Sequence, residues 1–142
     1  MTGRRLDDKG SATLELAILA PALLALLGLV IAAGRIEVAG GAVEQAAAAA
    51  AREASIARTG SAARAAAMQS ARGSLRSQGI ACGVLQVAVD TSGFTVPAGQ
   101  PAQVEVSVTC TVPLSDLAVP GMPGTRTMRA QMASPLDRYR TR

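Results

Sequence analysis

The sequence predicts an α+β fold: a long apolar helix, a second shorter helix, then a small antiparallel three-stranded sheet. Three observations carry this reading. Leu16 to Gly34 is a run of nineteen residues without a charged or polar side chain. The following stretch, to Gly79, is rich in alanine and free of proline. Beyond Gly79 the apolar residues alternate with polar ones, the period of a strand with one face covered.

Composition sets the bounds within which these elements fold. The chain has 142 residues, the size of one domain. If its first third anchors in a membrane, the remainder can build only a thin core, drawn from Ala, Val, Leu and Met, because Phe94 and Tyr139 are the only aromatic residues. Small cores of this kind call for a covalent staple. The net charge of +4 comes from arginines scattered among acidic residues, with Lys9 the only lysine. With no dense basic run and no stacking aromatics, this pattern argues against a nucleic-acid partner.

The first ten residues, MTGRRLDDKG, have the polar, basic character of a cytoplasmic leader. An ordinary signal peptide would carry ~7 to 15 apolar residues before a small-x-small site such as Ala32-Ala33-Gly34. The run here is longer, begins just after Glu15 and holds Pro21 early within it. A retained transmembrane helix over residues 11–35 fits better, since nineteen helical residues extend roughly 28 Å and a bilayer's hydrocarbon core is about 30 Å thick. Arg4, Arg5 and Lys9, set against Arg35 and Arg52, favour a cytoplasmic N-terminus and an extracytoplasmic remainder.

Residues 36–79 form a helical extension and the second helix. Ile36, Gly40, Val43, Ala47, Ala50, Ala54 and Ala57 recur at alternating spacings of four and three, which marks one narrow seam of small residues. Such a seam packs against the chain's own second helix or against neighbouring subunits, and the first is the simpler expectation. Gly40-Gly41 weakens the helix and invites a kink or break. The helix ends near Thr59-Gly60-Ser61. Ser61 is placed to cap a second helix running to about Gln78, with Gly79 as its stop. On that helix Ala65, Met68, Ala71 and Leu75 are expected inside, and Arg64, Arg72 and Arg76 in water.

Residues 80–133 form the β portion, with strands over about Val84 to Thr91, Val104 to Thr109 and Thr125 to Ala133. The connections hold Thr91-Ser92-Gly93, Pro97-Ala98-Gly99-Gln100-Pro101 and Val119-Pro120-Gly121-Met122-Pro123-Gly124. Residues 134–142 read as an exposed tail. Cys82 precedes the first strand and Cys110 lies near the end of the second, so antiparallel pairing brings the two together. In an extracytoplasmic domain such an even pair suggests a disulfide. The alternative is two buried free thiols.

A glutamate at the mouth of a hydrocarbon-length helix also asks for a reason. A charge near hydrocarbon is costly and usually has a partner. Cleavage after Gly10 would supply one, because the new α-amine of Ser11 stands one helical turn from Glu15. Without cleavage, Glu15 sits near a helix N-terminus, where the macrodipole favours an anion. No enzyme is expected: the chain has no histidine, no glycine-rich phosphate loop and no paired-carboxylate cluster. Neither a cofactor nor a small-molecule substrate is indicated, and two thiolates make only half a zinc site.

Gly10-Ser11-Ala12-Thr13-Leu14-Glu15 resembles the processing site of type IV prepilins, in which a peptidase cuts after the glycine and glutamate is the fifth mature residue. The longer stretch through Thr59 is similar to the TadE-like family of tight-adherence (Tad/Flp) pilus assembly proteins. In that family a glycine, a glutamate, a proline six residues after the glutamate and an Ala-Ala-Arg-Glu helix recur, as do Gly10, Glu15, Pro21 and Ala50-Ala51-Arg52-Glu53 here. The resemblance is best over residues 10 to 58. Many relatives have an acidic-aromatic pair at the membrane exit, where this chain has Ile31, Ala32 and Ala33.

The resemblance implies a processed, single-pass pseudopilin in the bacterial cell membrane that serves assembly of a type IV-like pilus or related secretion apparatus. Prepilin peptidase, other pilins or pseudopilins and the Tad secretion machinery are its implied partners, and Glu15 would pair with a neighbouring subunit's amine. A minor or structural pilin, reaching the cell surface in a filament, is the close alternative. A plain membrane-anchored extracytoplasmic binding module is the alternative of another class.

Overall fold

The computed structural model describes residues 9–117, 123–137 and 139, with side chains from Glu15 onward. Residues 1–8, with Arg4 and Arg5, lie outside the described part, as do 118–122, 138 and 140–142. The elements follow the expected order. Helix α1 spans Lys9–Ile56, α2 Gly60–Ser77, β1 Val84–Asp90, β2 Gln103–Pro113 and β3 Thr125–Pro135. A 3-10 turn at Ser92–Thr95 lies in the first connection and a single helical turn, α3 at Leu114–Leu117, opens the second.

Helix α1 runs unbroken through both Pro21 and Gly40-Gly41. No break occurs at the glycine pair, because the helix is held there by packing: Ala39, Ala42 and Val43 are all buried. Tertiary burial of one face outweighs the roughly 1 kcal/mol that each glycine costs relative to alanine. The seam from Val43 through Ala47 and Ala50 to Ala54 is buried as the spacing predicts, with Ile36 and Ala57 packed at its ends. Ala39, Ala42, Ala46 and Ala51 widen it, so α1 meets α2 on one flank and the sheet on the other.

The cap of α2 is Thr59 rather than Ser61. Thr59 Oγ1 accepts the Ala62 N–H at 3.2 Å, and the Thr59 carbonyl accepts the Ala63 N–H. Ser61 is instead within the first turn, its hydroxyl 3.1 Å from that of Thr59. The inward face is Ala63, Ala67, Ala71 and Leu75, so Ala71 and Leu75 stand as expected, Ala65 is exposed and Met68 is half-buried. Alanines face alanines across the α1–α2 seam, an arrangement that lets two backbones approach closely. At the other end Gly79 adopts φ +72. The N–H of Gly79 reaches the Arg76 carbonyl and that of Ile80 the Leu75 carbonyl, the left-handed helix stop for which glycine is suited.

The sheet has order β1-β2-β3, antiparallel throughout. Val104, Val106, Val108, Cys110 and Val112 of β2 form its buried face. Leu85 and Val87 of β1 stand opposite Cys110 and Val108, and Met128 and Ala130 of β3 stand opposite the same two residues from the other side. The outer face is polar: the Thr111 and Thr127 hydroxyls lie 3.1 Å apart, Arg129 donates to Ser107, and Gln131 donates to Glu105. Strand β3 extends beyond the expected Ala133. Ser134 and Pro135, read with the exposed tail, belong to it, and Leu136 is buried with its N–H on the Ala102 carbonyl. Pairing with the N-terminal half of β2 and apolar burial of Leu136 hold this stretch in place, while Tyr139 is exposed.

Candidate functional site: the apolar helix and its junction with the folded head

Helix α1 has two unlike halves. From Ile36 its inner face is packed into the head. Before that, Leu16, Ile18, Leu23, Leu24, Leu29 and Val30 are each more than 60% exposed. They point in all directions around the helix, and the most apolar eighteen-residue window has mean hydropathy 2.7 with none of it buried. A helix apolar on every side requires a non-aqueous environment. By length and composition this segment suffices to cross a membrane.

The expected site residues fall into two groups. Gly10 and Ser11 lie in the first turn of α1, and Glu15 follows one turn later, exposed, at the start of the apolar stretch. The second group is covalently joined: Cys82 and Cys110 form a disulfide with their Cα atoms 5.4 Å apart. Cys110 is fully buried and Cys82 half-buried. The bond fastens the segment ahead of β1 to the central strand, next to the Gly83 N–H that reaches the Thr111 carbonyl at 2.8 Å. The two groups are far apart, because the exposed apolar stretch of α1 separates them.

Sequence reasoning did not single out two features of the head. Arg64 at the start of α2 donates to Thr91 at 2.9 Å, tying α2 to the end of β1. At the other end of α2, Arg72 and Arg76 wall an open depression floored by Leu75, Ile80 and Leu85. The i, i+4 spacing of those arginines was visible, but the loop that completes the depression follows a glycine stop and carries no periodic signal. Among the titrating groups, Asp90 has its carboxyl held below the ordinary value, because it accepts the Ser92 N–H at 2.9 Å. No group of three or more His, Cys, Asp or Glu able to hold a metal ion occurs among the described residues.

Residues 10–52 match the model of the TadE-like protein family. No curated protein and no solved structure matches the chain. The TadE-like segment begins at Gly10 and ends at Arg52, so it holds Glu15, Pro21, the whole membrane-length stretch and most of the buried seam. The sheet and the disulfide lie outside it. The TadE-like match and the long apolar helix fit a membrane protein associated with the tight-adherence pilus.

Proposed function

We propose that this chain is a pseudopilin-like component for assembly of a tight-adherence pilus or related secretion apparatus. Prepilin peptidase cuts it between Gly10 and Ser11, and it is anchored in the cell membrane by the helix that follows. The observation that carries this reading is the TadE-like match over a segment that starts at Gly10 and continues into an exposed apolar helix. The leader with Arg4, Arg5 and Lys9 stays in the cytoplasm. The head lies outside, where an oxidising environment suits the Cys82–Cys110 bond. Glu15, one turn from the new Ser11 amine, pairs with such an amine on a neighbouring pilin or pseudopilin.

Mass spectrometry of the chain purified from membranes tests the cut. A mature chain beginning at Ser11 is expected, and a chain still beginning near Met1 in cells that possess the peptidase would overturn the reading. The second reading, a minor or structural pilin, is favoured by the same all-round apolar helix, which a filament core would also bury. Mature chain recovered in sheared filaments supports the pilin; retention in the membrane fraction supports the assembly component.

A further inference from the structure

Helix α2 returns along α1, since only Ala57, Arg58 and Thr59 separate them and their buried faces meet. Its eighteen residues cover roughly 27 Å, which brings its last turn back to the level of Ala39, where α1 enters the core. The sheet has the same polarity. The end of β1 lies by the start of α2, as the Arg64–Thr91 bond shows, and Pro135 at the end of β3 adjoins Ser55 to Arg58. The opposite end of the head, from which the apolar stretch leaves, therefore carries Arg72, Arg76, the start of β1 and the start of β3 with Arg126. Arg35 stands at the junction itself.

All four arginines are exposed. Arg72 and Arg76 stand one turn apart, where like charges repel, and neither is ion-paired among the described residues. Acidic groups at this end are Glu37, Glu44 on α1 at the level of Arg72, and Asp116, which already accepts the Ser115 hydroxyl. Between the arginines and the disulfide lies the depression floored by Leu75, Ile80 and Leu85. A cationic wall over an apolar floor matches a molecule with a phosphate next to hydrocarbon. The last turn of α2 sits about five residues beyond Gly34, roughly 7 Å along the helix axis. That is about the thickness of one headgroup layer, so the Arg76 side chain reaches into it, while Arg72, one turn farther from the bilayer, reaches its outer edge.

We propose that this end of the head is a docking surface for anionic phospholipid, with Arg72 and Arg76 holding a lipid phosphate and Arg35 and Arg126 adding to the attraction. The inference rests on the membrane-anchored reading and holds whichever side the head occupies. Docking fixes the tilt of the head against the bilayer.

The test is hydrogen exchange on the full chain reconstituted in vesicles of phosphatidylcholine, alone or with about a third phosphatidylglycerol, an anionic fraction large enough to set the surface potential. Anionic lipid is expected to slow exchange several-fold over residues 76 to 83. R72Q/R76Q should abolish that difference, R72K/R76K should keep part of it, and R58Q, at the far end, should leave it unchanged. Equal protection in both lipids, or a lipid effect that survives R72Q/R76Q, would overturn the docking surface. Resistance to carbonate extraction reports on the anchor separately: a chain that resists extraction but shows no lipid effect refutes the docking alone, and a chain that is extracted refutes both.

Discussion

Gly93 lies directly against the carbonyl of Gln103, so closely that any β-carbon there would collide with that backbone oxygen. The Leu136 side chain closes the same spot, 3.0 Å from where the β-carbon would stand. Neither neighbour can move cheaply, because Gln103 opens β2 and Leu136 is buried. Gly93→Ala should therefore destabilise the head by about 1 to 3 kcal/mol, the cost of overpacking. Thermal unfolding of the detergent-solubilised chain measures it, and an unchanged midpoint would contradict the close approach.

The disulfide closes a loop with a sequence separation of 28 residues. In the chain-entropy model its loss costs about 3 to 4 kcal/mol, a large share of the stability of a small domain. Replacing Cys82 and Cys110 with Ser should make the region after Gly79 protease-sensitive while the apolar helix stays in the membrane. Alkylation on intact cells is the companion measurement: without reductant, neither thiol should react.

On the proposed function, processing and assembly should separate at two residues. Gly10→Leu should block the cut, because it alters the acyl side of the bond to be broken. Glu15→Ala should leave the cut intact and reduce incorporation into the pilus or its assembly complex. Normal assembly of Glu15→Ala would overturn its proposed pairing with a neighbouring subunit's amine.

Asp90 gives a pH dependence with a definite sign. Its carboxyl is depressed below 3.8 in the folded protein by the Ser92 N–H, so the unfolded chain binds its proton first as pH falls. The stabilisation is fully present above the unfolded value and is lost as pH drops through the folded one. The difference in unfolding midpoint between wild type and Asp90→Asn should be constant from about pH 5 to 8 and shrink below about pH 4, the range set by an ordinary aspartate.

The alanine seam makes a steric prediction. Ala50 is fully buried, and α1 packs on both α2 and the sheet. Ala50→Leu should cost about 1 to 3 kcal/mol by forcing the elements apart, whereas Ala48→Leu, on the exposed side, should be nearly neutral. Denaturant midpoints of the two variants check the contrast.

The order of elements was legible because each carries a strong period or an unmistakable run. The apolar stretch, the four-and-three seam of α1 and the alternation of β2 each point to one structure. Gly79 was legible as a stop because the position demands a left-handed residue. The phase of the first half of α2 was not, since a helix made largely of alanine offers little hydrophobic contrast between its faces, and Ala63 and Ala67 look no different from Ala65 and Ala66; Ala71 and Leu75 in the second half were placed inside as found. The cap was misplaced by two residues for a related reason: Thr59 and Ser61 both offer a capping hydroxyl, and the backbone decides between them, since Thr59 is extended and accepts the Ala62 N–H while Ser61 is already helical. Leu136 was hidden between Pro135 and Asp137, where a single apolar residue has no period to announce it. The disulfide was within reach of register reasoning, because Leu85 opposite Cys110 puts Cys82 just beyond the paired region.

Since one unbroken helix is both the apolar segment and the central strut of the head, no hinge lies between them. A pull or twist on the outer turns of that segment is transmitted rigidly to the alanines that face α2 and the sheet. The contacts there run parallel to the load, so they resist it in shear, all together, rather than peeling open one at a time. The head responds to mechanical work on that segment as a single body.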